Sequence, residues 1–432
     1  MAYLKIKSKP LNGRIMAQPS KSIAHRAIIC ASLAKGTSKI DNVVLSDDIC
    51  ATLGAVSQLG AEIKIEDSLK YSGRKLITVN SNGRISSEEK VIDCKESGST
   101  ARFMMPITRL DASCSTFTGC GRLIERPFDI YKNMFAEKGI TYKDNEGKMP
   151  IHLSGRLTSG IYNLSGNVSS QFVSGLLFAL PLLEDDSEIN ITGGLQSLPY
   201  IQMTIEVIKE FGINIKHETD YRRIVIPGNQ QYKALPLYVV EGDWSQAAFF
   251  CVMGAISGQI NITGLNLDSC QGDKVIIDIL RKMGAVSEIS EEGIKFSKSN
   301  LRGITVDVSQ CPDLVPAVSV AASVAEGTTS IVNGARLRIK ESDRLMTTCR
   351  ELNNLGADIT EKDDGLIIKG KPGLTGGKAC GSGDHRIVMA AAAASAACRQ
   401  DVEIEGYEAV KKSYPEFWED FISLGGEVEF YG

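Results

Sequence analysis

The 432-residue chain is notable first for what it lacks. Its 11 cysteines include no CxxC spacing and its 4 histidines form no HxH or HExxH pair, so no transition-metal cage is offered. No apolar run is long enough to span a bilayer; VMAAAAASAAC, from Val388, is too short. The N-terminus MAYLKIKSKP has no signal-peptide apolar core. An excess of positive charge is missing too. With 48 Lys and Arg against 52 Asp and Glu the net charge is −4, so no global field draws in nucleic acid and any basic site is local. GxSxG, GxxxxGK[ST] and a strand-to-helix GxGxxG are all absent, which removes the nucleophile elbow and both nucleotide cradles. These absences predict a cytoplasmic protein without metal or cofactor, bound to neither nucleic acid nor membrane. Cys30, Cys251 and Cys398 fall in apolar helical runs and are expected as reduced packing residues. The 43% apolar and 23% charged fractions supply a sizeable core, and the length admits two or three domains.

What is present is a pattern that returns six times. Each instance is a polar cluster, an apolar run rich in small residues, a Gly turn and a short β-type run. They begin at Pro19 (PSKSIAHRAIICASLAKG), Glu96 (ESGSTARFMMPITRL), Ser169 (SSQFVSGLLFALPLL), Gly242 (GDWSQAAFFCVMGAISG), Cys311 (CPDLVPAVSVAASVAEG) and Gly381 (GSGDHRIVMAAAAASAAC). The spacing, roughly 70 residues, exceeds solenoid periods and marks sub-domains. Each apolar helix opens with Ser, Asp or Gly, leaving backbone N–H groups and a positive dipole for an anion. Several openings also carry basic residues, the unfavourable sign for that dipole, which phosphate or carboxylate ligands would explain.

A second helix follows each β-type run, more charged and often ending in Gly; the apolar spacing in YIQMTIEVIKEFG fits one helical face. NEGKMPIHLSG and TDYRRIVIPG read as further strands. The first helix of each unit is apolar all round: Ile23, Ala27, Cys30 and Ala34 share one side while Ile28, Ile29 and Ala31 fill others. Such a helix is buried. Helices inside and sheets outside predict an α/β fold of two inside-out barrels, or prisms, each of three units. The break is expected near Leu235 to Asp243, giving one domain over 21–240 and a discontinuous one over 1–20 plus 241–432, with the opening strands completing the latter.

PSKSIAHR is the sharpest cluster. Ser20 is a candidate N-cap, and Lys21 with His25, like Ser22 with Arg26, lie four apart on shared sides. Ser169, Ser170 and Gln171 supply donors without charge and read, alone, as a plain cap. Ser197 before LPY reads as a turn. Arg126 in ERP stands before a Pro at a helix start. RLRIKESDR gathers Arg336, Arg338, Lys340, Glu341, Asp343 and Arg344; two carboxylates among four cations suit an acidic substrate and a proton transfer, or a solvated turn. GDHR sets Asp384, His385 and Arg386 before a buried helix. Asp313 in CPDLVP serves equally as a cap or as an acid–base residue.

PSKSIAHRA, ERP, SSQF, EGD, PDLVPA, IKESDRL, GDHRIVMA and KSYPEFW, in this order, resemble the enolpyruvyl transferases, over essentially the whole chain and in the branch that acts on shikimate 3-phosphate. The resemblance implies two domains of three βαβαββ units with substrates in a cleft between them. It implies transfer of the enolpyruvyl group of phosphoenolpyruvate to the 5-hydroxyl of shikimate 3-phosphate, with phosphate released, in aromatic amino-acid biosynthesis, and a monomer. The 21–240 domain would bind mainly shikimate 3-phosphate; the other would contribute catalytic and phosphoenolpyruvate-binding residues. By motif, Lys21 touches both substrates and is a candidate acid. Ser22 and Arg26 bind shikimate 3-phosphate, and Ser169, Ser170, Gln171, Ser197 and Lys340 hold its phosphate and hydroxyls. Gly98, Arg126, Arg344, Arg386 and Lys412 (with Lys411 the alternative) face phosphoenolpyruvate. Asp313 is the implied base, Glu341 the proton-transfer partner at the methylene carbon, and Arg336 a candidate for shikimate's carboxylate. Glu96, Ser99 and Phe103 depart from the family's usual Asn, Thr and Pro. Retained Gly98 implies room for glyphosate in competition with phosphoenolpyruvate. The sister enzyme acting on UDP-N-acetylglucosamine is the rival, since Cys120 lies near its loop Cys; SKSIAHR and GDHR favour the shikimate branch. A terminal phosphate cyclase of related fold is a second rival.

Overall fold

The computed structural model describes residues 2–166 and 169–432. The chain divides into two compact units, Pro19–Glu241 and Met1–Gln18 with Gly242–Gly432, called here the continuous and the discontinuous unit. Among the described residues each unit holds three four-stranded sheets. Every sheet combines a parallel pair with antiparallel neighbours. In one, Gly160–Ser165 runs parallel to Ser187–Thr192, which pairs antiparallel with Arg223–Ile226. The opening strands belong to the discontinuous unit. Asn12–Met16 lies parallel to Gln259–Thr263, with Ile15 opposite Ile262. Tyr3–Lys7 is antiparallel to both Val402–Glu405 and Glu427–Tyr431, and Tyr3 stacks on Tyr431 at 4.7 Å.

Helices alternate in character. In the continuous unit they are α1 (Lys21–Leu33), α2 (Asp47–Gln58), α3 (Gly98–Thr108), α4 (Asp129–Glu137), α5 (Ser170–Ala179) and α6 (Leu198–Glu210). The discontinuous unit has α7 (Trp244–Ile256), α8 (Ile276–Lys282), α9 (Val315–Ser323), α10 (Arg344–Asn354), α11 (His385–Ser395) and α12 (Phe417–Ser423). Every residue of α7, α9 and α11 is buried, and the three pack on one another. Small side chains such as Ala390 to Ala394 permit that close approach, and a helix with no polar face has nowhere else to go. Each large aliphatic or aromatic side chain so buried contributes roughly 1.5–3 kcal/mol. In the continuous unit Phe103 of α3 meets Phe178 of α5 edge-on at 5.4 Å. Gly175 is required beside them: a Cβ there would stand 2.3 Å from the Tyr131 hydroxyl, which donates to the Arg102 carbonyl at 2.7 Å. No helix among the described residues is long and apolar enough to cross a membrane.

The polar residues therefore collect where the buried helices begin. Four of these starts are capped by a side chain: Ser97 accepts from Thr100 N, Ser169 from Gln171 N, Asp243 from Gln246 N and Asp384 from Arg386 N.

Candidate functional site

In the continuous unit, α1 presents Lys21 and His25 one turn apart to Asp48 and Thr52, one turn apart on α2. Lys21 Nζ lies 2.5 Å from Asp48 Oδ2. His25 Nδ1 lies 2.6 Å from Thr52 Oγ1, and the chain continues to Thr100 Oγ1 and Ser97 Oγ, each step 2.8 Å. Burial, with Lys21 and Arg26 nearby, pushes His25 down to about 3 against the pull of Asp48. His25 is thus a neutral packing residue. Arg26 turns the other way and is 2% exposed. Its Nε donates to Thr204 Oγ1 at 2.8 Å, its Nη2 to Tyr200 O at 3.0 Å and its Nη1 to Ser22 O at 2.6 Å, above the Phe103 ring. The first turn of α1 is not an exposed basic surface. Ser20 occupies the N-cap position, but its hydroxyl makes no cap bond; the backbone carbonyl alone accepts, from Ala24 N at 2.9 Å.

The starts of α3 and α5 are tied side chain to side chain. Gln171 donates from Nε2 to Ser99 Oγ at 2.8 Å and accepts from Arg102 Nη1 at 2.9 Å. Gly98 opens α3 beneath two guanidinium groups: a Cβ there would stand 2.7 Å from Arg126 Nη1 and 3.0 Å from Arg102 Nη1. Arg126 ends the 3-10 turn Gly121–Glu125, and α4 begins only at Asp129, so ERP is the exit of a turn and not a helix start. Glu96 acquires an account here. A Cβ on Gly121, at φ 55°, would lie 1.5 Å from its Oε1, so this carboxylate rests against the turn that ends at Arg126 and demands the glycine. Ser197 is buried, in the left-handed region at φ 54°, directly before α6.

The discontinuous unit concentrates charge. Arg344, the first residue of α10, donates to three carboxylates: Nη1 to Asp313 at 2.7 Å, Nη2 to Glu341 at 2.5 Å and Nε to Asp384 at 2.8 Å. Arg386 Nη2 lies 3.3 Å from Asp313 Oδ2, and Lys340 Nζ lies 3.5 Å from Asp313 Oδ1. Asp384, fully buried, caps α11 and also accepts from Ser342 at 2.9 Å. Asp313 is not an N-cap; it sits in the 3-10 turn Pro312–Leu314 ahead of α9, and its carboxylate is turned to the cations. Burial alone would raise the Asp313 carboxyl, but Arg386, Lys340 and Arg344 together outweigh it and hold it well below the usual carboxylate range. Burial likewise lowers Lys340, and Arg344 adds to this against Asp313. Arg344, despite its burial, is held firmly protonated by Asp384, Glu341 and Asp313. Arg338 points elsewhere, to Asp343 at 3.0 Å and Glu361 at 2.6 Å. Lys412 is buried at the end of the 3-10 turn Tyr407–Lys412, while Lys411 is exposed. Arg336 is half-buried on the turn Ala335–Ile339.

The comparisons with known proteins agree along the full length. The sequence profile of EPSP synthase (3-phosphoshikimate 1-carboxyvinyltransferase) matches residues 6–421. The chain belongs to the EPSP synthase family. It is 50% identical to the 3-phosphoshikimate 1-carboxyvinyltransferase of Clostridium acetobutylicum, over 99% of this chain and 98% of that protein. It is 47% identical to that of Clostridium kluyveri, over 99% of both. A solved EPSP synthase of Acinetobacter baumannii superposes with a TM-score of 0.80 at 25% identity, covering all of both chains. The α/β fold expected from the repeats is that of the EPSP synthase family.

Within each unit the structure gathers most of the residues singled out from sequence. Gly98, Arg126, Ser169, Ser170 and Gln171 belong to one neighbourhood of the continuous unit. Asp313, Lys340, Glu341, Arg344 and Arg386 form one network of the discontinuous unit. Arg102, Asp48 and Ser342 were not singled out as site residues, and Asp384 was noted only as part of GDHR. An arginine one turn after Gly98 in an otherwise apolar helix was the available signal for Arg102; the others become visible only through their partners.

Proposed function

We propose that this chain transfers the enolpyruvyl group of phosphoenolpyruvate to the 5-hydroxyl of shikimate 3-phosphate, in the shikimate pathway to aromatic amino acids. The observation that carries the reading is kinship along the whole chain to proteins of that activity. The methylene carbon of phosphoenolpyruvate takes a proton, and the neighbouring carbon becomes cationic. The 5-hydroxyl oxygen attacks that carbon and its proton passes to a base. The tetrahedral adduct then expels phosphate and loses a methyl proton, restoring the double bond. Positioned acids and bases supply such steps by about 10²–10⁴-fold each.

In this reading Lys21, Ser22, Arg26, Ser169, Ser170, Gln171, Ser197 and Lys340 hold shikimate 3-phosphate. Gly98, Arg126, Arg344, Arg386 and Lys412 hold phosphoenolpyruvate, whose oxygens suit guanidinium forks. Asp313 is the base, Glu341 serves the methylene carbon and Lys21 is the candidate acid. The network gives a reason for ordered chemistry. Arg344 is already bound to Asp313 and Glu341, so an anionic substrate that displaces one of them from the guanidinium frees a carboxylate from its cation. A released carboxylate is a stronger base. The enzyme acts as a monomer in the cytoplasm, which gel filtration and cell fractionation test.

Phosphate release from phosphoenolpyruvate and shikimate 3-phosphate together, without nucleotide, is the deciding assay. Turnover with UDP-N-acetylglucosamine instead, or its loss in Cys120→Ala, would overturn the assignment.

A further inference from the structure

Two glutamines with no role in the account above converge on the residue that follows Lys412. Gln18 and Gln246 are each 2% exposed, as is Ser413. Gln18 donates from Nε2 to the Ser413 carbonyl at 3.0 Å, and Gln246 donates from Nε2 to Ser413 Oγ at 3.0 Å. One residue is thus gripped at its backbone and at its side chain. Ser413 also closes the 3-10 turn Tyr407–Lys412. Its N donates to Val410 O at 3.0 Å, and Tyr414 N donates to the same oxygen at 2.7 Å. The turn packs against α11. The glutamines stand on a fixed base of their own. The discontinuous unit breaks off after Gln18 and resumes at Gly242. Asp243 N donates to Gln18 O at 2.7 Å, and Asp243 Oδ1 accepts from Gln246 N at 3.0 Å. Stability does not explain the pair. Each Oε1 is buried without a hydrogen-bond partner in the protein. A buried acceptor left unpaired costs about as much as one neutral hydrogen bond returns, or more. An apolar side chain of similar length would carry neither term.

We propose that Gln18 and Gln246 are positioning residues that hold Lys412 in place for phosphoenolpyruvate, acting through Ser413. The inference rests on the reading of Lys412 as a phosphoenolpyruvate contact. A lysine ammonium rides on a flexible four-carbon stem and loses much rotamer freedom when it is ordered. Fixing the backbone at the root of that stem, and burying the residue, removes part of this freedom before the ligand arrives. Two amide donors on the neighbouring residue supply that fixation. Neither glutamine touches substrate in this account.

The test combines phosphate-release kinetics, urea unfolding and amide hydrogen exchange on Gln18→Met and Gln246→Met, which keep the bulk and remove the donor. Each is expected to raise KM for phosphoenolpyruvate about 2–12-fold, the worth of one neutral hydrogen bond. KM for shikimate 3-phosphate should stay nearly unchanged and the urea midpoint should not fall. Exchange in the segment 407–414 should quicken. On a Lys412→Met background the same substitutions should raise KM for phosphoenolpyruvate no further, because the group they position is gone. That KM unmoved in both variants overturns the inference, as does unchanged exchange, or a rise that persists in full on the Lys412→Met background. Should a methionine variant fail to fold, Ser413→Ala, which removes the acceptor of Gln246, decides by the same KM. If Lys412→Met itself leaves that KM in place, the reading of Lys412 falls and the inference with it. An unaltered protein that releases no phosphate overturns the functional reading first.

Discussion

In the continuous unit the buried helices begin among neutral donors and dispersed cations, Lys21 and Arg26 on α1 and Arg102 and Arg126 over Gly98. Thr52, Thr100 and Ser97 form one hydroxyl chain, Gln171 donates to Ser99, and the ion pair of Lys21 with Asp48 joins α1 to α2. In the discontinuous unit the same kind of helix start is set in a knot of six charges: Asp313, Glu341 and Asp384 with Lys340, Arg344 and Arg386. Helix placement is alike; electrostatics are not. Neutral hydroxyls and amides hold a fixed geometry over a wide pH range and bind an anion without changing their own charge. A dense ion network is strongly coupled, so each proton or anion that arrives alters the affinity of every neighbour. The first arrangement responds little to pH, and the second responds strongly.

That contrast can be broken at four places. The largest effect on activity is expected for Lys21→Met, a loss of kcat of about 10²–10⁴-fold in the phosphate-release assay if this residue moves a proton. Its loss of stability should be smaller than that of Asp384→Ala. The latter strips a fully buried partner from Arg344 and is expected to cost about 3–5 kcal/mol, read from urea unfolding. Equal stability losses in the two variants would erase the distinction between the units.

The third break is in pH. His25 stays neutral in the folded chain, with its value about 3 against an ordinary 6.5, so between these the unfolded chain binds the extra proton. Its contribution is complete above pH 6.5 and drains away as pH falls toward 3. His25→Gln should flatten this slope, narrowing the stability difference between neutral and mildly acid pH by about 3 kcal/mol at most. A slope that does not change would show that the histidine is solvated. The smallest effect concerns Gly98→Ala, whose methyl meets Arg126 and Arg102. Overpacking of this kind costs about 1–3 kcal/mol, so KM for phosphoenolpyruvate should rise about 5–150-fold with KM for shikimate 3-phosphate nearly unchanged, and competitive inhibition by glyphosate should weaken. An unaltered protein insensitive to millimolar glyphosate would count against the crowded-glycine account.

How much of this was legible beforehand varies from residue to residue. The six buried helices could be read from runs such as AAFFCVMGAI, because a helix without a polar face has one environment open to it. Ser169 as a helix cap could be read too, since a cap is a contact over two or three residues. Asp313 could not. Its position before α9 looks like a cap, yet Arg344 and Arg386, distant in sequence, turn its carboxylate away from the helix. Ser20 erred the same way, holding the cap position without making the bond.

The sequence by itself determined where helices and strands form, which helices are buried, and that their polar starts would be rich in donors and cations. These properties follow from local periodicity and short-range hydrogen bonding. Tertiary structure alone decided which carboxylate faces which guanidinium, and therefore which group holds a proton at neutral pH. Proton affinity depends on desolvation and on charges a few ångströms away, and those distances exist only once segments far apart in the chain have been packed together.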